Sequence, residues 1–175
     1  MISIIYVFWM YVLLFAVIGL LRGWAKELLV SFAVVVALTL NFLLRKFAPV
    51  VSTLDPGDVT LFWIREVILL TLVYFGYQTV ISVARLQAGA RRERLADSLF
   101  GFVLGGFNGY LVAGSTWFYL NAARYPFPKL FVQPPAEILA QINSMMNFMP
   151  PFVLGEPTIY FASVIVLVFI LVVYV

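Results

Sequence analysis

Few side chains in this sequence could do chemistry, and their types restrict what that chemistry can be. The 175 residues include no His and no Cys. A Ser–His–Asp triad and a thiol nucleophile are therefore excluded, zinc loses its usual ligands, and no disulfide can form. Asp55 and Asp58 stand three apart in Asp55-Pro56-Gly57-Asp58. That spacing could serve a metal or an acid–base pair. The Pro-Gly centre reads instead as a turn, with Asp58 capping the apolar run behind it. Arg65 and Glu66 fall inside an apolar run. Adjacent helix positions point about 100° apart, so the two do not face each other. Arg65 reads as snorkelling to an interface. Glu66 and Asn108 are candidates for polar contacts within the membrane. Met145, Met146 and Met149 recur near helical spacing with Ile138, Leu139 and Ile142. They read as a packing stripe rather than soft metal ligands. The glycines from Gly101 to Gly114 carry no Lys of a phosphate-binding loop. No catalytic residue, metal or cofactor is expected, and the chain does not read as an enzyme.

The elements that must position these groups are set by composition. The chain is 64% hydrophobic and 11% charged, against about 45–50% and about 25% for soluble domains. That implies an all-α, polytopic membrane protein forming a single membrane domain. About 20 apolar residues cross the hydrocarbon as a helix. By that measure, spans fall at about 2–21, 27–44, 60–86, 98–120 and 158–175, with a short amphipathic interfacial helix at about 136–149. The first run is too long for a signal peptide and lacks a basic leader, so it reads as an uncleaved span. Few residues separate it from the second, which predicts a tight helical hairpin. Trp24 falls at interfacial depth.

The fourth run, Asp97–Leu120, carries a ladder of small residues four apart: Gly101, Gly105, Gly109 and Ala113. Such a face lets another helix approach closely in lipid. Gly19 and Gly23 have the same spacing at the end of the first span. The basic stretch with Arg85, Arg91, Arg92 and Arg94 predicts a cytoplasmic connection, with contact to anionic lipid or an acidic partner as its functional reading. With Arg22 and Lys26 on the same side, the amino terminus lies outside and the carboxyl terminus inside. The basic stretch has no interleaved aromatics, so no nucleic-acid role is expected.

Arg22, Gly23, Trp24 and Glu27, in LLRGWAKELL, resemble the first-loop signature of the CvpA (colicin V production) family. Asp97 followed by Gly101, Gly105 and Gly109 resembles its second signature. The resemblance covers about residues 1–150. It departs where the family places an Asp early in the first span, here Ile4, Ile5 and Tyr6, and an Arg before the third ladder glycine, here Asn108. The fifth span is also extra to the common four-span pattern. The resemblance implies a bacterial cytoplasmic (inner) membrane protein linked to toxin or colicin production, export and envelope upkeep. Three roles follow as expectations. The first is a non-catalytic scaffold whose ladder helix binds other membrane-protein subunits or a second copy, with membrane lipids around it. The others are an accessory subunit of an energy-transducing or photosynthetic complex, and an oligomeric channel.

Overall fold

The computed structural model describes residues 3–78, 94–127 and 136–174. They form helices α1 (Ile4–Arg22), α2 (Trp24–Phe47), α3 (Pro49–Ser52), α4 (Val59–Gln78), α5 (Arg94–Ala122), α6 (Ala136–Met146), α7 (Pro150–Val153) and α8 (Thr158–Tyr174). Helices α1, α2, α4 and α5 are long and apolar enough to cross a bilayer. The fifth apolar run forms α8, a shorter helix of 17 residues, about 25 Å long. Arg85, Arg91 and Arg92 lie outside the described residues, as do the end of the third predicted span and the connector around Lys129. The backbone of Arg94 opens α5.

Helix α5 is the centre of the bundle. It runs antiparallel to α1, as shown by contacts from Gly19–Gly101 at one end to Phe8–Trp117 at the other. It runs parallel to α2, with Ser31 meeting Asn108 and Asn41 meeting Tyr119. Helix α4 lies antiparallel to both α2 and α5 (Asn41–Arg65, Glu66–Thr116). Helix α8 follows α2 in the opposite direction through Phe32–Phe169, Thr39–Ser163, Phe42–Tyr160 and Lys46–Glu156. The five long helices therefore alternate in direction. The beginning of α1 and the end of α8 lie at opposite ends of the bundle.

The predicted tight hairpin forms in its turn and direction, but its two helices do not pack along their length. A single residue, Gly23, separates α1 from α2, yet α1 lays its length mainly on α5. The small-residue faces explain this. A Cβ on Gly105 would lie 2.8 Å from the Cα of Gly19, and one on Gly109 would lie 2.8 Å from the Cα of Val12. Only bare backbone allows that approach. Helix α2 has no matching glycine face toward α1. It receives α4 instead, at Gly76, where a Cβ would come 2.8 Å from that of Ala33. Ala113, the last rung of the ladder, is partly buried against the core.

The Met-rich helix packs into the bundle as well as presenting an outer face. Ile142, Met146 and Met149 are buried and Leu139 is exposed. At the turn into α7, Pro150 and Met149 fill the space that a side chain on Gly114 would take. Gly114 is eight residues before the end of α5, about 12 Å along the helix. The segment therefore dips into the bundle.

Candidate functional site

Four helix ends meet at one end of the bundle: the C-termini of α1 and α4 and the N-termini of α2 and α5. Each end leaves backbone groups without intrahelical partners. Side chains from neighbouring helices supply two of these partners. Trp24, the first residue of α2, donates its N–H to the Asp97 carboxylate in the first turn of α5 at 3.2 Å. Asp97 thus caps α2 from another helix. The joint residue Gly23 has φ 85°, a value other residues rarely adopt. A Cβ there would also stand 2.6 Å from an Asp97 carboxylate oxygen. At the far end of α4, Arg22 donates from Nη2 to the carbonyl of Tyr77 at 3.0 Å. Its guanidinium stacks 4.2 Å from the Tyr77 ring centre. A cation at a helix C-terminus is favourable, as is a carboxylate near an N-terminus, and Glu27 sits in the first turn of α2.

Glu27 is the hub, with no solvent exposure. Oε1 accepts from Arg22 Nη1 at 2.8 Å. Oε2 accepts from Asn108 Nδ2 at 2.8 Å and, more distantly, from the Tyr77 hydroxyl at 3.5 Å. Asn108 Nδ2 also donates to the Glu27 backbone carbonyl at 2.8 Å. Both of these Glu27 atoms can only accept, so the amide nitrogen of Asn108 must face them. Its oxygen then accepts from Ser31 Oγ at 2.7 Å. Every polar atom of this buried network has a partner, which is the condition for such a network to hold in a low-dielectric interior. Replacing Asp97 with Ala is expected to cost about 1 kcal/mol, as for loss of a helix cap. Faster amide exchange at Trp24 would show it; Asp97→Asn, which keeps an acceptor, should show less.

The residues of the two sequence signatures therefore converge. Arg22, Gly23, Trp24 and Glu27 from the first and Asp97 from the second touch one another or a common neighbour, with Gly19, Gly101 and Gly105 directly beside them. Ser31 and Tyr77, which belong to neither signature, complete the cluster. Tyr77 follows Gly76, and that small residue beside an aromatic at the end of a span was the available signal. Glu66 lies apart from this cluster. It is buried, and Oε2 accepts from Thr116 Oγ1 at 3.1 Å while Oε1 has no partner among the described residues. Arg65 is partly buried near the start of α4. It stacks 5.0 Å from the Tyr119 ring centre. Among the described residues, no group of three or more acidic side chains is arranged to hold a metal.

The sequence model of the family described as Colicin V production protein matches residues 5–133, which is well over half the chain. That stretch contains the whole cluster and the α1–α5 seam. No curated protein and no solved structure shows significant similarity to the chain.

Proposed function

Since the chain belongs to the Colicin V production protein family, we propose that it is a non-catalytic scaffold of the bacterial cytoplasmic membrane. It holds neighbouring membrane proteins in support of toxin production, export and envelope upkeep. The observation that carries this reading is the saturation of the Glu27 cluster. Its acid, its cation and its amide are all bonded to one another and to helix ends, so they fix helices rather than wait for a substrate. The glycine seam is likewise filled by α1 of the same chain. Neighbours must then be met on outward faces. Helix α4 offers Trp63, Val67, Leu70 and Tyr74, all more than half exposed and spaced to form one stripe. The clustered helix ends face the cytoplasm in this reading, because the basic stretch between α4 and α5 belongs to that end.

Purification of the full chain in a mild detergent tests the proposal. A companion membrane protein should co-purify in fixed ratio, and Trp63→Ala with Tyr74→Ala should release it without unfolding the chain. Absence of any companion, together with ion flux when the chain alone is placed in liposomes, would overturn the scaffold in favour of a channel.

A further inference from the structure

At the opposite end of the bundle from Glu27, a half-open cavity of about 140 Å³ lies between α2, α4, α5 and the segment of α7 and the residues after it. Arg45, Arg65, Asn41 and Tyr119 supply its polar wall, and Leu38 and Phe118 are part of its apolar one. Drug-sized ligands occupy about 300–1,000 Å³, so this space suits one small group with the rest of its molecule outside.

The charge in the cavity is unbalanced. Arg65 stacks on Tyr119, but among the described residues its guanidinium neither donates a hydrogen bond nor pairs with a carboxylate. Arg45 gives one nitrogen to the carbonyls of Val51 and Leu54, at 3.3 and 2.5 Å. A guanidinium has five N–H donors in all, so others remain. Among the described residues, no carboxylate lines the cavity. Glu156, next to its rim residue Gly155, is engaged by Lys46 at 2.7 Å and Tyr160 at 2.9 Å. Glu66 turns to Thr116. The Tyr119 hydroxyl accepts from Asn41 Nδ2 at 3.5 Å, and the other atom of that amide is an acceptor. Asn41 Nδ2 donates to the Arg65 carbonyl at 3.2 Å, and that carbonyl can only accept. The amide orientation is therefore fixed, and among the described residues it leaves Asn41 Oδ1 buried without a donor.

We propose that this cavity binds a phosphate ester that carries a neighbouring hydroxyl, that is, a phosphoglycerol group. The phosphate oxygens take the free donors of Arg45 and Arg65, for which guanidinium geometry is suited. The hydroxyl donates to Asn41 Oδ1. The apolar wall and the position at the end of the spans suit a lipid headgroup whose acyl chains run down the bundle. A soluble phosphoglycerol has the same recognisable chemistry.

The test uses the full chain in nanodiscs or detergent, with phosphatidylglycerol and phosphatidylcholine as probes and retention read by native mass spectrometry. Phosphatidylglycerol should be retained in preference to phosphatidylcholine. Arg65→Gln should weaken that retention about tenfold or more, the scale of a lost charge-assisted hydrogen bond. Asn41→Asp is the second variant. It keeps the shape but places a carboxylate against the two guanidiniums, and should weaken binding by at least as much. Competition by free glycerol 3-phosphate would assign the site to a soluble ester, and its failure to compete to a lipid. Equal retention of the two lipids overturns the proposal. So does phosphatidylglycerol retention unchanged in folded Arg65→Gln and Asn41→Asp, since binding would then belong to the basic stretch between α4 and α5.

Discussion

Replacing Gly105 with Leu should separate α1 from α5 and lower the thermal midpoint of the detergent-solubilised chain by about 10 °C or more, corresponding to a loss of roughly 3 kcal/mol. The reasoning is steric. An added Cβ alone would stand 2.8 Å from Gly19 Cα and 3.0 Å from Gly19 N. Those neighbours are backbone, which cannot rotate aside as a side chain does, so the helix must move. The absence of Cys in the chain provides a direct readout. A Cβ on Gly106 would lie 3.5 Å from that of Ala16, within the roughly 3.5–4.5 Å typical of a disulfide. The pair Ala16→Cys and Gly106→Cys should therefore bridge readily on the otherwise native background and poorly once Gly105 is Leu. Equal bridging on both backgrounds, with an unchanged midpoint, would show that α1 and α5 are not in tight contact.

Glu27→Ala is expected to be as damaging for a different reason. It strands the Arg22 guanidinium and one Asn108 donor in a buried site. Breaking one partner of a buried ion pair costs about 3–5 kcal/mol, whereas Ser31→Ala, which removes a neutral hydroxyl, should cost about 1 kcal/mol. The double substitution Arg22→Met with Glu27→Leu sharpens the test. It removes both charges and should recover much of the loss, because the cost lies in the stranded group more than in the missing attraction. Chemical or thermal unfolding of the three variants measures these differences. A Glu27→Ala protein within about 1 kcal/mol of the original would mean that water reaches Arg22 and that the cluster is not sealed.

These two sites also show what the sequence discloses and where it stops. The spacing of Gly101, Gly105 and Gly109 announces a close helix contact, because the repeat of four is itself the geometry of one helix face. It does not say which helix fills that face. The Gly19 and Gly23 pair pointed to the end of α1, but short linkers favour pairing with the next helix, and the tight-hairpin expectation followed that rule. The turn is as tight as expected, but α1 packs along α5 rather than α2, which has no glycine to receive it. Arg22 and Glu27 were legible as a motif. Their partner Tyr77 was not, since that contact joins residues 55 apart through a helix end whose position depends on the packing of α4 against α2. Arg65 is legible as a cation near the end of a span, which favours an interface. The ring it stacks on is not legible beside it, since Tyr119 comes more than 50 residues later in the chain.

The pairing of α1 with α5 sets an order of events during synthesis. The face of α1 around Val12, Phe15 and Gly19 has no counterpart until Gly101 to Gly109 leave the ribosome, some 80 residues later. At bacterial and eukaryotic elongation rates of about 5–20 residues per second, that is a wait on the order of ten seconds. Through that interval the nascent first span stands in the bilayer with its closest-packing surface open to lipid or to any helix that happens by. Biogenesis of this protein therefore includes a window in which a chaperone or insertase that shields α1 would raise the yield of correctly assembled bundle.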